Sequence, residues 1–110
     1  MSRPRVCFVS MHSLGYFVDG YGVTGGGAER QLSLLASALT ESFDIHVIVA
    51  DYGQPQRIER DGVVLHRSYD PEAESSPTTR VGWLATLAKM LSRVDADVYV
   101  HRGTPAFAAV

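Results

Sequence analysis

The stretch Gly20–Leu32, which reads GYGVTGGGAERQL, passes from a run of glycines directly into a segment of helical periodicity. Apolar residues recur from its end onward at spacings of three and four, which is the pattern of a helix with one buried face. The members of this apolar stripe are Leu32, Leu35, Ala36 and Leu39. Upstream, Arg5–Ser10 is a short apolar segment that predicts a buried strand. The order strand, glycine loop, helix is typical of an α/β fold.

The glycine-rich junction is a candidate site for a phosphate group. The first N–H groups of a helix have no partner inside it, and the helix dipole adds about half a positive charge there. Gly25, Gly26 and Gly27 have no Cβ atom, so a ligand's phosphate could approach the backbone closely. Arg30, in the first helical turn, is either a further phosphate contact or a surface residue. An ordinary flexible loop with a glycine-rich helix cap is the alternative interpretation of the whole junction.

Composition bounds the class of protein. The chain has 110 residues and a formal net charge of -2, which predicts at most one domain and gives no reason to expect nucleic-acid binding. No secretory signal is present, and no stretch approaches the roughly 18 apolar residues of a membrane helix. The single cysteine, Cys7, lies in the first predicted strand and is expected to be a buried thiol. We expect a cytoplasmic globular protein, with peripheral membrane association and homo-oligomerisation left open.

The remaining segments alternate between strands and helices. Further strands are predicted at Phe43–Asp51, Val63–Arg67 and Asp97–His101. Helices are predicted at Ala28–Thr40 and Thr78–Val94. The expected apolar face of the second helix consists of Val81, Leu84, Ala85, Ala88 and Leu91. Apolar strands that alternate with amphipathic helices predict a Rossmann-like, mostly parallel sheet with right-handed crossovers.

In such sheets, ligands bind beyond the carboxyl ends of the strands, where the strand order reverses. If the four predicted strands are ordered 3-2-1-4, the ends of strands one and four are neighbours. The end of strand one leads into Met11–Gly27, a connection far longer than usual, and strand four ends at His101 and Arg102. The connection carries Tyr16, Phe17 and Tyr21, which predict either a mobile lip over a pocket or a loop folded on its own aromatics.

A further helix is predicted to open at Thr104–Pro105, and it is interrupted after about one turn at Val110. Natural domain boundaries fall in polar, exposed linkers. We therefore expect residues 1–110 to be the front part of a longer protein, with a natural mini-domain that has a frayed tail as the alternative.

Three motifs carry a resemblance to a known family. They are Gly25–Arg30, which reads GGGAER, followed by FDIHVIV at 43–49 and DADVY at 95–99. In this order and spacing the chain resembles the amino-terminal domain of GT-B glycosyltransferases, more narrowly the retaining family-four, or glycosyl transferase group 1, type. The match extends over all 110 residues. GGAER is its moderately specific part, and the later motifs corroborate it by position.

The resemblance implies a partial amino-terminal, acceptor-side domain, with the rest of that domain and a donor-binding domain beyond residue 110. It implies transfer of a sugar from a nucleotide-sugar donor to a glycosyl acceptor, with retention at the anomeric carbon. No cofactor and no metal are expected, because helix termini and basic side chains hold the leaving diphosphate. Gly25, Gly26, Gly27 and Arg30 would contact the donor phosphate, and Tyr16, Phe17 and Tyr21 would form the acceptor loop.

The resemblance also implies a catalytic role near the end of the fourth strand. Family members often carry a histidine there that contacts the donor sugar, and His101 and Arg102 are the candidates in this chain. The sequence departs from the family because Arg102 aligns with that position. His46 and His66, by contrast, are interpreted as structural histidines on strands. This chain alone is expected to be inactive.

Two other classes of function stay open. Gly20–Gly25 also matches G-x-G-x-x-G, and Asp51 ends strand two where a ribose-binding acid would lie, which suggests an NAD(P)-dependent oxidoreductase. The first glycine, however, lies about ten residues beyond strand one instead of in the turn itself. A non-catalytic flavodoxin-like binding module is the third hypothesis. No P-loop motif occurs.

Overall fold

The computed structural model describes residues 3–18, 20–21, 27–69 and 77–101. These residues form five strands and three helices. The strands are β1 (Arg5–Val9), β2 (Asp44–Val49), β3 (Arg57–Arg60), β4 (Val63–Arg67) and β5 (Val98–His101). The helices are α1 (Leu14–Phe17), α2 (Gly27–Ala38) and α3 (Pro77–Val94).

The strands form one sheet in the order β3-β4-β2-β1-β5. All neighbouring pairs are parallel except β3 with β4. The fold is therefore α/β with a mostly parallel sheet, as the sequence predicts, and it is compatible with a Rossmann-like architecture. The four predicted strands lie in the expected order 3-2-1-4, so the end of β1 lies between the ends of β2 and β5. In register terms, Val9 pairs with Ile48 on one side and with His101 on the other.

The edge strand β3 is a part of the sheet that the sequence analysis does not predict. A two-residue turn at Asp61 and Gly62 joins it to β4, and both residues have positive φ angles, of 51° and 85°. Positive φ at both central positions is the geometry of a type I′ hairpin turn, for which Asp-Gly is a preferred pair. Only Ile58 of β3 is even partly buried, so the strand lacks the apolar alternation that identifies its neighbours.

One face of the sheet is covered by α2. Leu32 and Ala36 are buried against strand residues of one core cluster, and Leu39 packs at its edge. The fourth member of the predicted stripe, Leu35, is 52% exposed, so that part of the prediction is wrong. Ser33 is buried instead, and its hydroxyl donates to the Arg30 carbonyl at 2.7 Å, which satisfies the polar group inside the helix.

The other face of the sheet is covered by α3, in an orientation that differs from the sequence prediction. Leu87, Met90 and Val94 are buried and pack in one cluster with residues of β1 and β2. Most residues of the face predicted to be buried are exposed: Val81 is 65% exposed, Leu84 is 47% exposed, and Ala85 and Ala88 are also exposed. Of that face, only Leu91 packs against the cluster. The helix carries apolar residues on more than one side, and the larger buried set lies on the other side.

Cys7 lies in this second cluster and is fully buried, as predicted. Burial raises the pKa of its thiol to about 12, so it remains protonated and unreactive at neutral pH. In the part of the chain that the structure describes, no helix combines the length and apolar character needed to cross a membrane.

Candidate functional site

The carboxyl edge of the sheet brings together the ends of four parallel strands. β1, β2, β4 and β5 end at Val9, Val49, Arg67 and His101. Because Val9 pairs with His101, the backbone of the predicted catalytic position lies directly beside the exit of β1. We call this edge the carboxyl-edge site, and we include in it the segments 10–13 and 50–54 that follow β1 and β2.

The segment after β1 is held in place by a compact turn. The buried Ser13 hydroxyl donates to the Ser10 carbonyl at 2.9 Å, and the backbone N–H of Ser13 donates to the same oxygen. The Ala50 N–H donates to the Met11 carbonyl at 3.0 Å, which ties this turn to the end of β2. The predicted long connection therefore begins with ordered backbone and continues into α1, whose Leu14 is fully buried.

His12 projects from this turn and is a functional candidate that the sequence analysis does not single out. Its Nδ1 lies 3.1 Å from the Tyr52 hydroxyl, which donates to the Met11 carbonyl at 3.3 Å. The Tyr52 hydroxyl has one hydrogen, which either acceptor can receive, so the contact fits both tautomers of His12. In both tautomers Nδ1 is engaged by Tyr52, and Nε2 has no hydrogen-bond partner among the described residues. The imidazole therefore keeps one ring nitrogen available for a hydrogen bond at this edge.

The segment after β2 holds Tyr52 rigidly. Gln54 is buried: its side-chain amide donates to the Ala50 carbonyl at 2.8 Å and accepts from the Tyr52 N–H at 2.7 Å. Asp51 accepts from the Gly53 N–H at 2.9 Å, which is a local Asx turn. One oxygen of the carboxylate proposed to bind a ribose is therefore already used by its own turn.

The predicted phosphate-binding residues are only partly within the described part of the chain. Gly27 begins α2, one residue before the predicted start at Ala28, and Arg30 is exposed in its first turn. Gly25, Gly26 and Arg102 lie outside the described residues. His101 ends β5 as predicted. The roles assigned to these residues stay predictions.

The three aromatic residues of the predicted acceptor loop take two kinds of position. Tyr16 and Phe17 belong to α1, and both are half-buried. Phe17 and Tyr21 pack against the core cluster under α2. These two rings thus have a packing role, and their contact with an acceptor stays a prediction.

Comparisons with known proteins add no identification. No family model, curated protein or solved structure matches this chain. Among the described residues, no group of three or more His, Cys, Asp or Glu side chains is placed to hold a metal ion.

The geometry of the carboxyl-edge site defines what it can do chemically. It combines a strand exit fixed by serine hydrogen bonds, an imidazole with an available nitrogen and the backbone end of β5. The long α2 helix starts after the same connection. Such an arrangement can bind an anionic ligand at the helix N-terminus and hydrogen-bond its polar groups from the side.

Proposed function

We propose that this chain is the amino-terminal, acceptor-side part of a retaining GT-B glycosyltransferase that uses a nucleotide-sugar donor. One observation carries the proposal: the strand order places the end of β5 beside the exit of β1, whose connection leads into α2 at Gly27. Of the three motifs that resemble the family, the first ends in the opening turn of α2 at Gly27–Arg30, and the third leads into β5, whose last residue lies at this edge.

In this proposal, α2 supplies the charge complement for the donor diphosphate. Its first N–H groups and its dipole would stabilise negative charge as the bond to the sugar breaks, and Arg30 would add a side-chain contact. Backbone N–H groups and an arginine side chain would then stabilise the charge of the diphosphate, and no metal is required. The nucleotide-gripping residues of the second domain would lie beyond residue 110.

The proposal gives the two histidines of the edge separate positions around the sugar. His101 would contact the donor sugar from β5, with Arg102 following it. His12 would present Nε2 to a hydroxyl group of the donor or acceptor, since Nδ1 is engaged by Tyr52. The acceptor would lie over the α1 side of the edge, near Tyr16.

An NAD(P)-dependent oxidoreductase is a weaker alternative. In its favour, Asp51 lies two residues beyond the carboxyl end of β2. Against it, the connection from β1 is no tight glycine turn, because the Ser10–Ser13 turn and α1 come first. Asp51 also engages the Gly53 N–H. A non-catalytic binding module would have the same fold but would have no need to bind a nucleotide sugar.

The first test is a thermal-shift screen of the full-length protein with UDP-, GDP- and ADP-sugars, and with NAD and NADP. We expect one nucleotide sugar, at about a hundred times its Kd, to raise Tm by about 5 °C or more. Gly27→Val should weaken that binding about tenfold, because a branched side chain would obstruct the approach of phosphate to the helix N-terminus.

Gly82→Val is the matched control, since Gly82 lies within α3, a helix that contributes none of the proposed donor contacts, and has open space around it. It should leave the ligand-induced shift unchanged even where it lowers Tm itself. Stabilisation only by a dinucleotide, lost in Asp51→Asn, would replace the proposal with the oxidoreductase. A lack of response to every ligand would favour the binding module.

A further inference from the structure

A second candidate site lies on the α3 face of the sheet. A pocket of about 510 Å³ is formed between α3 and the β3–β4 hairpin, within the size range of small-molecule sites. It starts at the amino ends of β1 and β2, where Arg5 and Asp44 lie, so it is separate from the carboxyl-edge site. Its lining residues have no part in the proposed glycosyl transfer.

A chain of hydrogen bonds runs along the floor of this pocket. Arg5 donates through Nε to Oδ2 of Asp44 at 3.0 Å, and Nε2 of His46 lies 3.3 Å from the same oxygen. Nδ1 of His46 is then 2.8 Å from Nε2 of His66. The pairing arises from strand register: His46 lies opposite Val64 on β4, and His66 is two residues farther along the same face.

The charges of these groups determine where the protons are. Burial lowers the pKa of His46, although the nearby Asp44 carboxylate acts in the opposite direction. Burial and nearby positive charge lower the pKa of His66 to about 4. Burial alone would raise the pKa of Asp44, but hydrogen bonds from Arg5 and His46 hold it below its usual value. At neutral pH the hydrogen-bonded series therefore consists of the Asp44 carboxylate followed by the neutral imidazoles of His46 and His66.

The tautomers of the two histidines follow from the carboxylate at the start of this hydrogen-bonded series. The Asp44 carboxylate can only accept, so Nε2 of His46 carries its proton and Nδ1 is a lone pair. Nε2 of His66 must then donate to it, which leaves Nδ1 of His66 as a lone pair. That nitrogen has no partner among the described residues, and His66 lines the pocket. The pocket thus offers a fixed hydrogen-bond acceptor.

The pocket also has positive charge on both walls. Arg57 extends from β3 and pairs with Glu59 at 3.0 Å in a highly exposed ion pair, which solvent screens. Arg93 extends from α3 and has no ion-pair partner among the described residues. It also borders an adjoining cavity of about 150 Å³ that is lined by Arg67 and Lys89. Guanidinium groups on facing walls suit an oxyanion that can bind both.

We propose that this pocket binds a small phosphate ester that also carries a hydroxyl group. Its phosphate would lie between Arg57 and Arg93, and its hydroxyl would donate to Nδ1 of His66. The apolar side chains of Val64, Met90 and Val94 would contact its carbon skeleton. Two-point recognition distinguishes such a ligand from inorganic phosphate, which lacks the carbon-borne hydroxyl, and from an uncharged polyol.

Glycerol 3-phosphate is the probe, titrated into the ¹⁵N-labelled full-length protein at constant ionic strength. Long-range ¹H–¹⁵N spectra of the imidazoles should show the assigned tautomers in the free protein, and the Nδ1 signal of His66 should move on binding. Inorganic phosphate and glycerol should each bind at least tenfold more weakly. Glycerate at the same concentration tests the phosphate requirement and should also bind more weakly.

Arg93→Gln should weaken glycerol 3-phosphate binding about tenfold, and His66→Gln should abolish its advantage over inorganic phosphate. Arg60→Gln is the matched control: Arg60 is exposed on the same hairpin and does not line the pocket, so binding should be unchanged. The proposal is overturned if glycerol 3-phosphate at millimolar concentration leaves the His66 signals unmoved. It is equally overturned if inorganic phosphate binds as tightly or if Arg60→Gln weakens binding as much as Arg93→Gln.

Discussion

Replacing Leu87 by alanine is expected to lower the free energy of unfolding by about 2–5 kcal/mol, the usual range for a fully buried leucine. Leu87 has no exposed surface and packs with Met90 and Val94 against β1 and β2. Truncation removes buried apolar contacts and leaves a cavity between the helix and the sheet. Urea unfolding at pH 7, with the m-value compared between variants, measures the effect.

Leu84→Ala is the matched control, because it makes the same truncation one turn earlier in the same helix. Leu84 is 47% exposed, so we expect a loss below about 1 kcal/mol. The comparison tests the orientation of α3 directly. If Leu84→Ala proves as costly as Leu87→Ala, the stripe suggested by the sequence periodicity is the buried one, and the orientation in the structure is contradicted.

Acidification from pH 6.5 to pH 4 is expected to destabilise the protein through His66, by about 1–3 kcal/mol. The pKa of this imidazole falls from 6.5 to about 4 on folding, so the unfolded state binds the proton more readily across that interval. Stability attributable to His66 is therefore fully present above pH 6.5 and is lost as the pH falls towards 4. The range allows for solvent screening of a partly exposed ring.

The contribution of His66, together with its effect on the hydrogen-bonded His46, is measured by comparing the pH dependence of the wild-type protein with that of His66→Gln. Urea unfolding at several pH values between 4 and 7 should show a smaller loss of stability in the variant. Asp44 acts in a lower interval, because its lowered pKa means that its contribution is lost below about pH 3.8. Equal pH dependence in the two proteins would mean that His66 titrates normally in the folded state.

The sequence predicts the parallel part of the sheet well because burial on both faces leaves a clear signal. β1 and β2 are continuous apolar segments, and their predicted bounds differ from the observed ones by two residues or fewer. β3 leaves no such signal, because three of its four residues are exposed at an edge. The Asp61-Gly62 turn was the available local clue to it.

The orientation of α3 could not be predicted from periodicity alone. Two overlapping stripes satisfy helical spacing, one through Leu84 and Leu91 and one through Leu87 and Val94. Which stripe meets the sheet depends on how the crossover places the helix, and that is set by tertiary packing. Trp83 also contributes, since its ring stacks on Tyr69 with centroids 4.9 Å apart.

For the candidate sites too, the sequence predicts some features and misses others. The sequence predicts the place of the carboxyl-edge site, because strand order and helix starts are local or topological features. It misses His12, whose interest comes from a hydrogen bond to Tyr52, forty residues away. A histidine three residues beyond a first strand was the only sequence signal for it. The His46–His66 pair likewise exists only through the register of β2 and β4.

Hydrogen–deuterium exchange of the full-length protein, with and without the nucleotide sugar that stabilises it most, tests whether the donor binds at the carboxyl edge. A donor site there predicts slower exchange in peptides covering residues 10–13, 27–32 and 98–101, which share the carboxyl edge or begin α2. Peptides covering 3–6 and 94–97, at the opposite edge, should be unchanged. Protection confined to that opposite edge, or absent from this chain altogether, would contradict a donor site at the carboxyl edge.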